Sequence, residues 1–218
     1  MSAPRPLLLL GAAGLAREVL AAVRAVPGEP WAVLGALDDN PDRHGADLDG
    51  VPVLGGSGLV HDHPDAAVAL CVASPRRRSV RLDVVRRLGL PPDRWATVVH
   101  PTAAVAAGTT LGEGTVLLAG TVVTAPQRIG AHVLAMPHVL LTHDDAVGDG
   151  VTLAGRATLG GGVVVHDGAY LGAGCLVREG VIIGAGAMIG LGAVVLDTVP
   201  PGETWVGNPA RRLTAREQ

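Results

Sequence analysis

The 218-residue chain has no lysine and no phenylalanine. All 17 of its basic residues are therefore arginines, so no lysine is available for a Schiff base or a phosphate-loop ammonium. Aromatic residues make up 2% of the chain, which excludes a layered core built from rings. The formal net charge is only -3, so no large positive field exists to hold nucleic acid or an anionic membrane surface. Cysteine is scarce as well: Cys71 and Cys175 lie far apart with no metal-ligand spacing, and a reduced, cytoplasmic protein without a required disulfide is expected. The longest aliphatic run, Leu7 to Leu10, is far too short to span a membrane, and no signal-length apolar core is expected at the N-terminus. What is abundant is glycine, 31 residues, within a chain that is 48% apolar. Val, Leu, Ile and Ala must pack against closely approaching backbone, which suggests a narrow, regular interior.

Residues 6–95 alternate two patterns. Leu7 to Leu10 reads as a buried strand, and Gly11-Ala12-Ala13-Gly14 turns into a helix with Leu15, Val19, Val23 and Val26 on one face. Trp31 to Leu37 reads as a second strand ending in the loop Asp38-Asp39-Asn40-Pro41, and Ala66 to Val72 as a third. Ser74-Pro75 predicts a cap and first turn for a helix that Val80, Val84, Val85 and Leu88 continue to Gly89. Strands alternating with helices imply a small parallel α/β unit.

From Thr97 the pattern changes to a period of six. TVVHPT, AAVAAG, TTLGEG and their successors run to AVVLDT without an insertion, and the third residue of every hexad is aliphatic, from Val99 and Val105 through Leu141 and Leu159 to Val195. Strand alternation alone would not hold such a period. It is the signature of a β-helix, in which short strands stack coil on coil and the third-position side chains fill a prism.

This tract resembles the left-handed β-helix acyltransferases, in which three hexads make one coil. The N-terminal strand followed by GAAGLAREV, then LDDNPDRHG, GVPVLGG, HPTA at 100–103, THDD at 142–145 and VGNPAR at 206–211 resemble the nucleotide-sugar N-acetyltransferases of bacillosamine and perosamine biosynthesis and their sialic-acid O-acetyltransferase relatives. The resemblance implies a fold that is α/β plus all-β. Residues 1–96 would form a small Rossmann-like nucleotide-sugar-binding domain. Residues 97–204 would form a left-handed parallel β-helix that binds acetyl-CoA and carries the chemistry, and 205–218 a C-terminal tail. It also implies a homotrimer with the cofactor cleft between neighbouring prisms, acetyl-CoA as co-substrate, a nucleotide sugar as partner, and no metal, nucleic acid or membrane.

In that family a histidine followed by a carboxylate is the catalytic base, and the match here is His143-Asp144. Neutral imidazole suits the proton removal that an attacking amine or hydroxyl requires, and Asp144, or nearby Asp145 or Asp149, would fix its tautomer. The other corner histidines, His132, His138 and His166, read as solvated turn residues. One coil after His143, the resemblance implies that the backbone N–H of Gly161 faces the thioester carbonyl. Gly172, Gly190, Arg211 and Arg212 fall where relatives hold coenzyme A. Gly11 and Gly14 form a glycine turn opening a helix, where backbone N–H groups would meet a pyrophosphate. Asp38 and Asp39 match the acidic pair that contacts the nucleotide or ribose. Thr152 stands where the N-acetyltransferases often have a histidine that helps hold the thioester, which keeps a hydroxyl acceptor open as the alternative. A metal-dependent hydratase of the γ-carbonic-anhydrase kind is a further alternative, since His138 and His143 have the spacing of its ligand pair, but Thr102 stands where its remaining histidine would be.

Overall fold

A computed structural model describes residues 3–214 of the chain. Its N-terminal part is a five-stranded sheet of β1 (Arg5–Leu10), β2 (Trp31–Leu37), β3 (Asp47–Leu48), β4 (Val51–Gly55) and β5 (Ala67–Leu70), in the order β3-β4-β2-β1-β5. All pairings are parallel except β3 with β4. Strands of this kind are buried on both faces, and Leu7, Leu8 and Leu9 have no exposed surface. Helix α1 (Gly14–Ala25) buries Ala16, Val19, Leu20, Ala22 and Val23, the face that the 3.6-residue period marks out.

The second helix departs from the sequence reading. Helix α2 covers Val80–Leu88 and closes on Gly89 with a left-handed φ of 59°, so it does not begin at Ser74-Pro75. The Ser74 hydroxyl instead accepts the Arg77 N–H at 3.2 Å. It caps a bend within the arginine run that precedes the helix.

From Val98 onward each hexad places a two-residue strand at its second and third positions, and the strands stack on three faces. The first face holds Ala104–Val105, Val122–Val123, Leu140–Leu141, Thr158–Leu159, Leu176–Val177 and Val194–Val195. The second holds Thr110–Leu111, Arg128–Ile129, Ala146–Val147, Val164–Val165 and Ile182–Ile183. The third holds Val98–Val99, Val116–Leu117, Leu134–Ala135, Thr152–Leu153, Tyr170–Leu171 and Met188–Ile189, extended by Thr204–Val206 and the antiparallel Arg211–Arg212. Each strand pairs in parallel with the one a full coil later, as in Val122 with Leu140 and Leu140 with Thr158. This is the left-handed parallel β-helix beside a Rossmann-like sheet. First and third hexad positions point inward: Val139, Leu141, Ala157, Leu159, Val163 and Cys175 are all completely buried. Cys71 and Cys175 are free and buried, and burial pushes each thiol up to about 12, so neither is a nucleophile at neutral pH.

The two parts share a core. Leu7, Leu9 and the buried face of α1 cluster with Val98, Val116 and Leu134, the outward residues of the third face. One buried arginine spans the seam. Arg81 of α2 donates through Nε to the His132 carbonyl of the prism at 2.7 Å, and through Nη1 to the Val72 and Leu70 carbonyls at 2.8 and 3.2 Å. Burial pulls its guanidinium down to about 10, so it remains charged. His132, expected as a solvated corner residue, is 5% exposed. Its ring meets Trp95 edge-on at 4.9 Å, and burial together with the Arg81 charge lowers its pKa. Among the described residues no helix is long and apolar enough to cross a membrane.

Replacing Arg81 with Leu strips buried carbonyls on both sides of the seam of their donor. It is expected to destabilise the protein by about 2–4 kcal/mol in urea unfolding, with the unfolding slope unchanged if both parts still melt together.

Candidate functional site

The corner after the first face carries the residues on which the sequence reading centres. A coil turns here through Thr142, His143, Asp144 and Asp145, and the next through Gly160, Gly161, Gly162 and Val163. Most sixth hexad positions adopt a left-handed backbone, usually with glycine; Asp144 adopts it with φ 62°, a conformation that Asp tolerates better than most residues. Its carboxylate Oδ2 thereby lies 2.8 Å from His143 Nδ1. That bond makes Nδ1 the protonated nitrogen and leaves Nε2 as a lone-pair acceptor. Both side chains are open, 69% and 83% exposed.

The imidazole lies against Gly161. A Cβ at Gly161 would fall 2.6 Å from His143 Nε2, and φ there is not positive, so the glycine makes room for the ring in this position and is not called for by turn geometry. Gly162 N–H bonds the His143 carbonyl at 2.9 Å, and the Gly161 carbonyl accepts Gly180 N–H at 3.0 Å. The Gly161 N–H has no acceptor among the described residues. A basic nitrogen and a free donor thus share one corner.

Asp145 and Asp149 do not orient the histidine. Asp145 points into the prism, 4% exposed, and accepts Val163 N–H and Thr142 N–H, both at 2.9 Å. Burial raises its pKa to about 6, against the pull of those two N–H groups and of His143. Asp149 sits on the next corner, where it accepts Ala131 N–H at 2.8 Å.

The remaining candidates are dispersed. Thr152 is buried on the outward side of the third face, between Leu134 and Tyr170. Gly172 and Gly190 stack on the corner after that face, where Cβ atoms would meet the backbone of Leu191 at 2.6 Å and the Val206 side chain at 2.7 Å, so coil packing already demands both. Arg211 bonds the Ala210 carbonyl, and Arg212 pairs with Glu203 at 3.2 Å. His138 packs over Gly120 on that same third corner, so one chain does not bring it to His143. The Thr102 hydroxyl is taken by His100 and by Gly120 N–H.

A cleft of about 610 Å³ opens where β1, β2 and β5 end, lined by Gly11, Asp38, Asp39, Arg43, Ser57, Arg77, Asp83 and Arg87 over Leu10, Leu37, Val72, Val80 and Val84. Crevices at the carboxyl ends of parallel strands are the usual ligand sites of such sheets. Gly11 has φ 112°, and a Cβ there would fall 2.7 Å from the Cys71 carbonyl, so only glycine turns the chain this close to β5. Gly14 opens α1 with free space about it. Asp38 accepts Ala12 N–H and Arg43 Nη1 at 2.8 Å and Asn40 N–H at 2.9 Å; despite burial, these hold its carboxyl below the ordinary range. Its charge therefore already fills part of the glycine turn. Asp39 accepts the hydroxyl and N–H of Ser57 and pairs with Arg87 at 2.9 Å; the Ser57 hydroxyl, then its N–H and Arg87, keep its carboxyl low against burial. Ser57, Arg77, Asp83 and Arg87 were absent from the sequence reading. The signal lay in α2, where Asp83 and Arg87 interrupt the stripe begun by Val80 and Val84.

No protein-family model and no curated protein sequence matches the chain. Solved structures do. The acetyltransferase domain of PglB from Neisseria gonorrhoeae, in complex with acetyl coenzyme A, is 26% identical with a TM-score of 0.85, covering 97% of this chain and 100% of that one. PerB from Caulobacter crescentus, in complex with CoA and GDP-perosamine, is 28% identical at a TM-score of 0.84, covering 96% and 97%. WeeI from Acinetobacter baumannii is 30% identical at 0.77, covering 95% and 99%.

Asp145 should leave a signature in the pH dependence of stability. Its folded pKa of about 6 lies above the ordinary unfolded value near 3.9, so between the two the native state holds a proton that the unfolded chain has released. The resulting stabilisation is present below about pH 4 and is lost as pH rises through about 6. Chemical denaturation of the wild type compared with Asp145→Asn should show this difference, about 1–3 kcal/mol.

Proposed function

The chain belongs to the left-handed β-helix, hexapeptide-repeat acetyltransferases of the nucleotide-sugar N-acetyltransferase family, and on that premise we propose that it moves the acetyl group of acetyl-CoA directly to the amino group of a nucleotide-linked amino-dideoxy sugar. The observation that carries the reading is the first corner: a histidine with Nδ1 held by Asp144 and Nε2 open, lying over a glycine whose N–H is unspent. As the amine attacks the thioester carbonyl carbon, His143 Nε2 takes its proton. The Gly161 N–H receives the developing oxyanion. When the C–S bond breaks, the leaving thiolate recovers the proton from the imidazolium. Asp144 stabilises that imidazolium and keeps its orientation.

The nucleotide is assigned to residues 1–96, in the cleft bordered by Gly11, Asp38 and Asp39, with Gly14 at the neighbouring helix start. Arg43, Arg77 and Arg87 there suit a diphosphate. Acetyl-CoA is assigned to residues 97–204, with Thr152, Gly172 and Gly190 along its path and Arg211 at its nucleotide end. The assembly is assigned as a homotrimer. Support comes from the openness of His143 and from outward apolar residues on both faces beside its corner, with Leu176 and Ile182 48% and 41% exposed, so that a second prism would enclose the site. The free, buried cysteines accord with a reduced cytoplasmic setting.

His143→Ala should lower kcat by roughly 10²–10⁴-fold with coenzyme A affinity nearly intact, whereas His138→Ala should do little. Acetylation of amino sugars, followed by release of CoA thiol, measures both. Equal losses in the two variants would refute the assignment of the base. Gly14→Leu, which the open space at that position accommodates, should raise KM for the nucleotide sugar and leave KM for acetyl-CoA unchanged. Equal activity on the free sugar and its nucleotide conjugate, insensitive to that change, would favour a free hydroxyl or amine acceptor instead. Light scattering of active protein should return the mass of three chains.

A further inference from the structure

The inward column of first hexad positions is aliphatic or small through most of the prism, with Val133, Val139, Val151, Val163 and Val181 buried. Beneath the His143 corner it changes character. Gln127 and Asp145 follow one another there, a coil apart. Their effect is on the turn itself. At most corners the N–H of the first-position residue bonds the carbonyl three residues back: Cys175 to Gly172 at 3.2 Å, Ala187 to Gly184 at 3.0 Å, Val181 to Arg178 at 3.3 Å; on another column the Thr115 hydroxyl takes one such donor, the Val133 N–H, at 3.1 Å, but there no carboxyl does so. At the two coils that carry His143 and Gly161 side chains take those donors. Asp145 N–H goes to Gln127 Oε1 at 3.0 Å, and Val163 N–H goes to Asp145 Oδ1 at 2.9 Å. The second carboxyl oxygen takes Thr142 N–H at 2.9 Å, which displaces that N–H from the ladder and leaves the Thr142 hydroxyl to reach the Leu159 carbonyl.

We propose that Asp145 is a positioning residue for acetyl transfer: its buried carboxyl, set on Gln127, opens the two turns so that His143 rests over Gly161 with the Gly161 N–H unspent. This deepens the assignment of His143 and Gly161 and rests on it. Without the carboxyl, Val163 N–H and Thr142 N–H can return to the Gly160 and Leu159 carbonyls, as at other corners. The loop would then tighten and carry the imidazole off its place. The charged groups that act on Asp145 are His143 and Asp144, both on its own corner; its inward neighbours Val163 and Gln127 carry none.

The test is Asp145→Val, which gives the column the residue it holds at neighbouring coils, measured beside His143→Ala in the full chain. The valine variant should fold, keep KM for acetyl-CoA, and lose about 10–10²-fold in kcat. The acid limb of kcat/KM should also move to lower pH, because a negative charge near the imidazolium has gone. A merely structural role would lower thermal stability and leave kcat and the pH profile alone, and that result overturns the proposal. Should the valine variant fail to fold, Asp145→Asn decides: it keeps one acceptor and should lose kcat by a smaller factor, of about 3–10-fold, whereas wild-type kcat overturns the proposal. A fully active His143→Ala would instead defeat the assignment of the base.

Discussion

The prism leans on one conformational demand, a left-handed backbone at the end of most hexads; Thr102, Pro126 and Thr198 close theirs without it. Glycine meets it at most corners with φ near 65°, and the return of the turn brings each aliphatic third position beneath the previous one. The interior is then too narrow for rings, which accounts for the absence of phenylalanine from the prism. Where glycine is replaced, the replacement has consequences. Asp144 bears the left-handed turn and is thereby brought beside His143 Nδ1; His132 bears one and is turned under the N-terminal sheet.

The seam between the two parts has the opposite logic. The outward positions of the third face are valine and leucine where the α/β sheet covers them, at Val98, Val116 and Leu134, while the first face offers its outward residues to the surroundings, as at Leu176. Arg81 crosses the covered seam with one end on the prism and the other on the end of β5. A buried guanidinium that donates through Nε and Nη1 to carbonyls on both sides, with Nη2 left unpartnered, is costly to disturb. It therefore sets the cleft at one orientation to the corners, and helix α2 carries both this anchor and the cleft residues Asp83 and Arg87.

Much of this was legible in advance, and the failures have physical causes. The hexad period located the prism strands from Val98 to Val195, because a repeat of that kind leaves no freedom of register; Thr204–Val206 and Arg211–Arg212, which extend the third face, lie beyond it. Three strands and the first helix of the α/β part followed from aliphatic runs and glycine punctuation, whereas β3 and β4, short and interrupted by Asp49, Gly50 and Pro52, did not. Ser74-Pro75 misled because the same two residues begin a bend as readily as a helix; here the Ser74 hydroxyl accepts the Arg77 N–H and α2 starts at Val80. His132 was misread as solvated because a corner position in a repeat says nothing of which corners another part of the chain will cover. Asp38 and Asp39 were found in the sequence, yet the bonds that occupy them, from Ala12, Arg43, Ser57 and Arg87, come from segments distant along the chain.

By itself, then, the amino-acid order determined the period, the inward residues, the glycine-rich corners and the glycine that lies one coil after His143, since each depends on exact recurrence. Only the tertiary structure decided that Asp144, and not Asp145 or Asp149, meets His143 Nδ1, that the Asp145 carboxyl takes N–H groups from two successive turns, and that Gly172 and Gly190 already serve coil packing. Those outcomes depend on the stacking of one coil on the next and on the burial of one face by another, and a one-dimensional pattern records neither the direction in which a corner side chain points nor what comes to cover it.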